Sequence, residues 1–254
     1  MTGFAKPFII INICKFRKIK QQRKRPVMQI SIEPKPHTLH ITSGEAAAEA
    51  LRHKLPQADI IPFNEAMCEG SACAEIFTNE FYQLRAAAYG VTLQSYLLKS
   101  PGGWLNAMLP AYKALNLYFD YDMFCVVNTI TLLAFLEQAQ YKGQINFYLL
   151  EANGGADIID TWPVKLGIYN ECYQQVLVNR QPFDAGKSYF NKGIELYLDY
   201  KKEANRITAY IAANSALDKQ ELLYKLMARF ADYGLTDIAA ARFIDAHLQK
   251  VADK

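Results

Sequence analysis

Short apolar runs alternate with four-residue apolar spacing through the first half of the chain. Thr38 to Thr42 alternates apolar and polar residues and runs into Ser43-Gly44, after which Ala47, Leu51 and Leu55 recur every four positions. That pattern predicts a strand, a tight turn and an amphipathic helix. Pro56 ends the helix, and Asp59 to Phe63 holds a compact apolar run, Ile60-Ile61-Pro62-Phe63, of strand length. A right-handed crossover makes the two strands parallel neighbours.

From Ala72 to Leu115 the spacing is helical but broken at Gly90 and at Ser100-Pro101-Gly102-Gly103, which predicts several short helices. Asn116 to Phe119 reads as a third strand, Asp122 to Gln138 as a buried helix, and Gln144 to Leu150 as a fourth strand. Asn153-Gly154-Gly155 and Pro163 mark a change of character. Beyond them Leu166 to Val178, Ser188 to Ala213, Asp218 to Phe230 and Asp237 to Val251 read as helices. The expected fold is therefore α/β: a largely parallel, Rossmann-like sheet with helices on both faces, followed by a mostly helical C-terminal portion. The expected organisation is a basic extension over 1–27, disordered or not native, an α/β domain over 28–155 and a helical region over 156–254.

Composition narrows the class. The chain has 254 residues, 51% of them hydrophobic, enough for a sizeable core. Its net charge of +3 misleads, because Met1 to Val27 carries eight Lys or Arg and no acid, leaving 20 basic against 25 acidic residues in the body. A nucleic-acid surface needs a dense basic face, so no nucleic acid is expected to bind the body. The basic arm itself could touch RNA or anionic lipid. In that arm the apolar run Phe8 to Ile13 precedes the charges, the reverse of a secretory signal, and Met28 is an equally good start. Five cysteines (Cys14, Cys68, Cys73, Cys125, Cys172) lack zinc or redox spacing. Met123 to Leu136 is too short and too interrupted to cross a bilayer. A cytoplasmic protein with no membrane association is expected.

Candidate chemistry lies where strands lead into helices, since ligands of open α/β sheets sit beyond the carboxyl ends of the strands. Four such ends are Thr42-Ser43-Gly44-Glu45, Asn64-Glu65, Asp120-Tyr121-Asp122 and Glu151. The first could hold a phosphate or carboxylate on backbone N–H groups; the more ordinary reading makes Ser43 or Thr42 an N-cap, with Gly44 easing the turn. Glu65, Asp120 and Asp122 could hold a divalent cation or divide acid and base roles, whereas the plain reading has Asp122 capping the buried helix. Acids there would repel a phosphate unless a cation intervened. Asn128, inside an apolar helix, reads first as a tie to a neighbouring backbone, Cys125 as a small core residue and His40 as a structural strand residue rather than a base. Gly186-Lys187-Ser188 lacks the first glycine of a phosphate loop. The helix, Gly234 turn and helix near the end carry too many acids for a DNA-recognition face.

Three stretches taken together, His40 to Leu51 (HITSGEAAAEAL), Ile61 to Gly70 (IPFNEAMCEG) and Tyr118 to Asn128 (YFDYDMFCVVN), resemble a bacterial family of uncharacterised proteins, the domain of unknown function numbered eighteen thirty-five. The similarity spans roughly residues 38 to 150, and Arg229-Phe230 with Gly234-Leu235 is similar to a short C-terminal pattern of its members. The resemblance implies that Thr42, Gly44, Glu65, Glu69, Asp120, Asp122, Cys125 and Asn128 fall on recurrent motif positions. It supplies no reaction and no cofactor. This chain departs from the fuller pattern in lacking a proline after Phe230 and an asparagine before Gly234.

The functional expectation is an enzyme or ligand-binding protein with an acid-lined crevice. Its candidate ligand-binding residues are His40, Thr42, Ser43, Gly44, Glu65, Asp120, Asp122 and Asn128, with Glu65, Asp120 and Asp122 as candidate metal ligands and a small molecule or divalent cation as partner. The alternative is a non-catalytic regulatory module whose C-terminal helices meet a protein partner.

Overall fold

The computed structural model describes residues 37–151 and 157–252. The extension over 1–27 lies outside the described residues. The described chain forms a five-stranded sheet in the order β2-β1-β3-β4-β5, with β1 (Thr38–Thr42), β2 (Asp59–Pro62), β3 (Ala114–Phe119) and β4 (Gln144–Leu150) parallel and β5 (Ile158–Pro163) antiparallel to β4. This is the expected α/β class, with a helical C-terminal portion.

The strand order dictates where the helices go. From β1 the chain moves one way to β2, and from β3 it moves the other way to β4, so right-handed crossovers put the two connecting helices on opposite faces. Helix α1 (Glu45–Lys54) covers one face, packing Ala47, Ala48 and Leu51 on Ile60, Tyr118 and Leu150. Helix α5 (Met123–Gln138) covers the other and is buried on nearly every side. Its polar residues are satisfied within that setting: Thr129 and Thr131 donate to the carbonyls of Cys125 and Val127, each at 2.8 Å.

The β2 to β3 connection holds α2 (Asn79–Tyr89), α3 (Leu93–Leu97) and α4 (Pro101–Met108), each begun by a hydroxyl cap, Thr78, Thr92 and Ser100. After the sheet come α6 (Tyr169–Tyr173), α7 (Ser188–Tyr200), α8 (Arg206–Ala213), α9 (Lys219–Arg229) and α10 (Asp237–Ala252). Cys172, Val176, Phe190 and Ile194 belong to the same buried core as Leu117 and Phe147, so the apolar packing runs unbroken from the sheet into these helices. Helix α7 lies close on α5, where a side chain at Gly193 would overlap Val126.

Two elements differ from the sequence expectation. Strand β5 was not expected, and the helix expected over Ser188 to Ala213 is two, because Asn205 forms a capping box with Thr208 and starts α8 afresh. No helix among the described residues is long and apolar enough to cross a membrane.

Candidate functional site

In this strand order the connections diverge between β1 and β3, so the switch point at which open α/β sheets bind their ligands falls at the carboxyl ends of those two strands. Thr42 pairs with Tyr118 in register, and the Ser43 N–H donates to the Tyr118 carbonyl at 2.9 Å. The turn over residues 42–44 and the turn over residues 120–122 therefore sit side by side.

The first turn is not an N-cap of the ordinary kind. Gly44 occupies the cap position in extended backbone and no side chain among the described residues caps α1. Thr42 turns its hydroxyl inward, donating to the Gly44 carbonyl at 3.0 Å. The leading N–H groups of α1 therefore lack a side-chain acceptor, and the space where a side chain at Gly44 would stand is open. The N-capping reading of Ser43 or Thr42 gives way to this arrangement.

In the second turn, Asp120 Oδ1 accepts from the Asp122 N–H at 2.9 Å, and Asp122 Oδ1 accepts from the Cys125 N–H at 2.7 Å as the cap of α5. Burial, reinforced by the neighbouring Asp120 carboxylate, pushes the Asp122 carboxyl well above the usual carboxylate range. Burial does the same to the Cys125 thiol. Donor atoms of Asp120, Asp122 and Cys125 gather within 4.8 Å of one another, a set a divalent cation could occupy. Cys125 is buried, as expected of a small core residue, and its thiol also stands beside the two acids.

Glu65 stands apart from that group. Both guanidinium arms of the fully buried Arg85 that reach it, Nε and Nη2, donate to Oε1 at 3.0 Å; Tyr89 donates to the same oxygen at 2.8 Å, and Tyr96 donates to Oε2. Arg85 also donates to the carbonyls of Ala66 and Glu69. The carboxylate is thus neutralised and saturated by the protein. Asn128 completes this cluster: its Oδ1 accepts from the Met67 N–H at 3.0 Å and its Nδ2 donates to the Glu65 carbonyl. It ties α5 to the loop after β2, as a buried amide must.

His40 points to the α1 face in mid-strand rather than into the crevice. Its Nδ1 lies 2.9 Å from the Tyr118 hydroxyl, whose ring stacks on Tyr148 at 4.7 Å. Burial pulls the imidazole down from 6.5 to about 4, against a weaker opposing pull from Asp59, so the ring is neutral near pH 7. Asn116, in register with His40, accepts from Asn146 at 3.0 Å, which continues a polar row across the sheet.

The structure thus brings together Thr42, Ser43, Gly44, Asp120 and Asp122, and sets Glu65, Asn128 and His40 in supporting positions around them. Arg85, Tyr89 and Tyr96 carry much of that support and show no local signal in sequence, since their partner lies 20 to 31 residues away. A wide trough of about 750 Å³ also opens at the opposite, amino edge of the sheet, beside Lys113 and residues 139–144. It meets the C-terminal end of α5 instead of a helix N-terminus, and it is remote from the acids, so the carboxyl edge is the better candidate. No family model, no curated protein and no solved structure matches this chain.

Proposed function

We propose that this chain binds a small molecule bearing a carboxylate or phosphate at the carboxyl ends of β1 and β3. The N–H groups opening α1 hold the anion, and the turn over residues 120–122 meets the rest of the molecule. The observation that carries this reading is the α1 N-terminus without a side-chain cap, set beside open space at the strand switch point. Acids near this edge would repel such a ligand, but Glu65 is turned away from the two turns and paired with Arg85, and burial with the neighbouring Asp120 raises the Asp122 carboxyl well above the usual carboxylate range.

Gly44 gives a clean test. Its backbone is extended and its side-chain direction is open, so Gly44→Leu folds normally while filling the anion position. Calorimetric titration with inorganic phosphate, mononucleotides and divalent cations should show binding by the wild type that Gly44→Leu abolishes and Asp120→Ala alters. Binding indifferent to both substitutions, or no binding of any of these, refutes the proposal.

A further inference from the structure

A second pocket lies on the α5 side of the same sheet edge, between the loop after β2 and the start of α10. It encloses about 180 Å³, small beside the several hundred Å³ of drug-sized sites, so it suits a single side-chain-sized group. Three of its walls are tyrosines whose hydroxyls are already committed elsewhere. Tyr89 donates to Glu65 at 2.8 Å, Tyr200 to Glu69 at 2.7 Å and Tyr233 to Asp199 at 2.7 Å. What they offer the cavity is ring surface, joined by Phe124 and by alanines at 66, 88 and 239. The Cys68 thiol in the wall is pushed up to about 12 by burial, so it stays uncharged there.

The mouth is different. Glu69 and Arg242 face each other across 4.0 Å, too far for a hydrogen bond, and Arg242 is more than half exposed. Glu69 is fixed by Tyr200 through Oε1, which leaves Oε2 toward the arginine. One anchored anion and one exposed guanidinium, paired with each other only at the long distance of 4.0 Å at the rim of an apolar cavity, complement a ligand with an ammonium, a carboxylate and an apolar group on adjacent atoms.

We infer that this pocket binds an α-amino acid with an aliphatic or aromatic side chain. The side chain enters between Tyr89, Tyr200, Tyr233 and Phe124, the ammonium meets Glu69 and the carboxylate meets Arg242. The inference does not depend on the α1 site, because the two pockets share no proposed ligand contact.

The test is calorimetric titration of the full chain with L-leucine and L-phenylalanine, and with 3-methylbutylamine and 4-methylpentanoate, which lack one charge of leucine each. At least one amino acid should bind, and each single-charge analogue should bind at least about tenfold more weakly. Arg242→Gln, at an exposed position, should weaken the amino acid by about tenfold or more. Ala239→Phe fills the cavity from α10 and Ala88→Leu from α2; whichever keeps the wild-type thermal transition should abolish binding. No amino-acid binding at millimolar concentration, equal binding of an analogue, or binding that survives a folded cavity-filling variant overturns the inference. Gly44→Leu leaves amino-acid binding unchanged, so failure here and failure of the α1 proposal are distinguishable.

Discussion

The backbone of Gly234 is pressed against the carboxylate of Asp122, so closely that a Cβ at 234 would overlap Oδ1, Oδ2 and Cγ of the aspartate. Gly234 also has φ of 64°, in the left-handed region, at the turn that leads into α10. The C-terminal helices therefore seal one side of the turn after β3, and a residue more than a hundred positions downstream helps to desolvate Asp122.

Gly234→Ala should consequently cost more than a left-handed alanine alone. The backbone accounts for about 1 kcal/mol, and the forced overlap with a buried carboxyl should raise the total to about 2 to 4 kcal/mol. Urea unfolding measures it. In an Asp122→Ala background the steric part disappears, so the same substitution should cost only about 1 kcal/mol. Additive losses in the double variant would show that the Asp122 contact is not the source.

The Glu65 and Arg85 pair makes a second stability prediction. Both side chains are fully buried, and Arg85 bonds two carbonyls of the loop after β2 in addition to Glu65. Arg85→Met should lower unfolding free energy by about 3 to 5 kcal/mol, because it strands a buried carboxylate. Adding Glu65→Gln should recover part of that loss, since the stranded charge is gone. A double variant less stable than Arg85→Met by the full cost of Glu65→Gln would mean that the two groups are energetically independent.

The parallel sheet was legible because its signals are local. Thr38 to Thr42, Ser43-Gly44 and the Ala47, Leu51, Leu55 stripe spell out strand, turn and helix within one short window, and Gln144 to Leu150 alternates clearly. Strand β5 is harder to read, because Asn153-Gly154-Gly155 and Pro163 mark a change of character in the sequence, while the apolar and polar mixture of Ile158-Ile-Asp-Thr-Trp162 is short and its antiparallel pairing with β4 is a tertiary fact. The break before α8 hides in a continuous apolar spacing, and only the reciprocal bonds of Asn205 and Thr208 reveal it. The juxtaposition of the two turns followed from topology. How each acid is partnered did not, because that depends on residues distant in sequence such as Arg85 and Gly234.

His40 should make stability depend on pH in the acid range. Its pKa is about 4 in the folded protein against 6.5 in an unfolded chain, so between those values the unfolded state binds more protons. The contribution is fully present above pH 6.5 and is lost as pH falls toward 4. Its full size corresponds to about 3 kcal/mol, and solvent screening reduces the expected value to about 2 kcal/mol. The stability difference between pH 7 and pH 4 should therefore shrink by about that amount in His40→Gln. An unchanged difference would place the imidazole in contact with water.

Asp122 acts in the opposite direction. Its folded pKa is raised well above 3.8 by burial and by Asp120, so the native state holds the extra proton and stability falls as pH rises through that window. Asp122→Asn keeps the same cap oxygen on the Cys125 N–H and removes the cost of ionising a buried carboxyl. The variant should therefore gain on the wild type as pH rises above the ordinary carboxylate range, by urea unfolding in the presence of a chelator. A divalent cation seated among Asp120, Asp122 and Cys125 would reverse the ranking when metal is added, since the wild type alone would have the full donor set. Metal-dependent stabilisation of the wild type that Asp122→Asn lacks would identify a cation site; its absence, with the pH trend intact, would leave burial between α5 and Gly234 as the whole role of the Asp122 carboxyl.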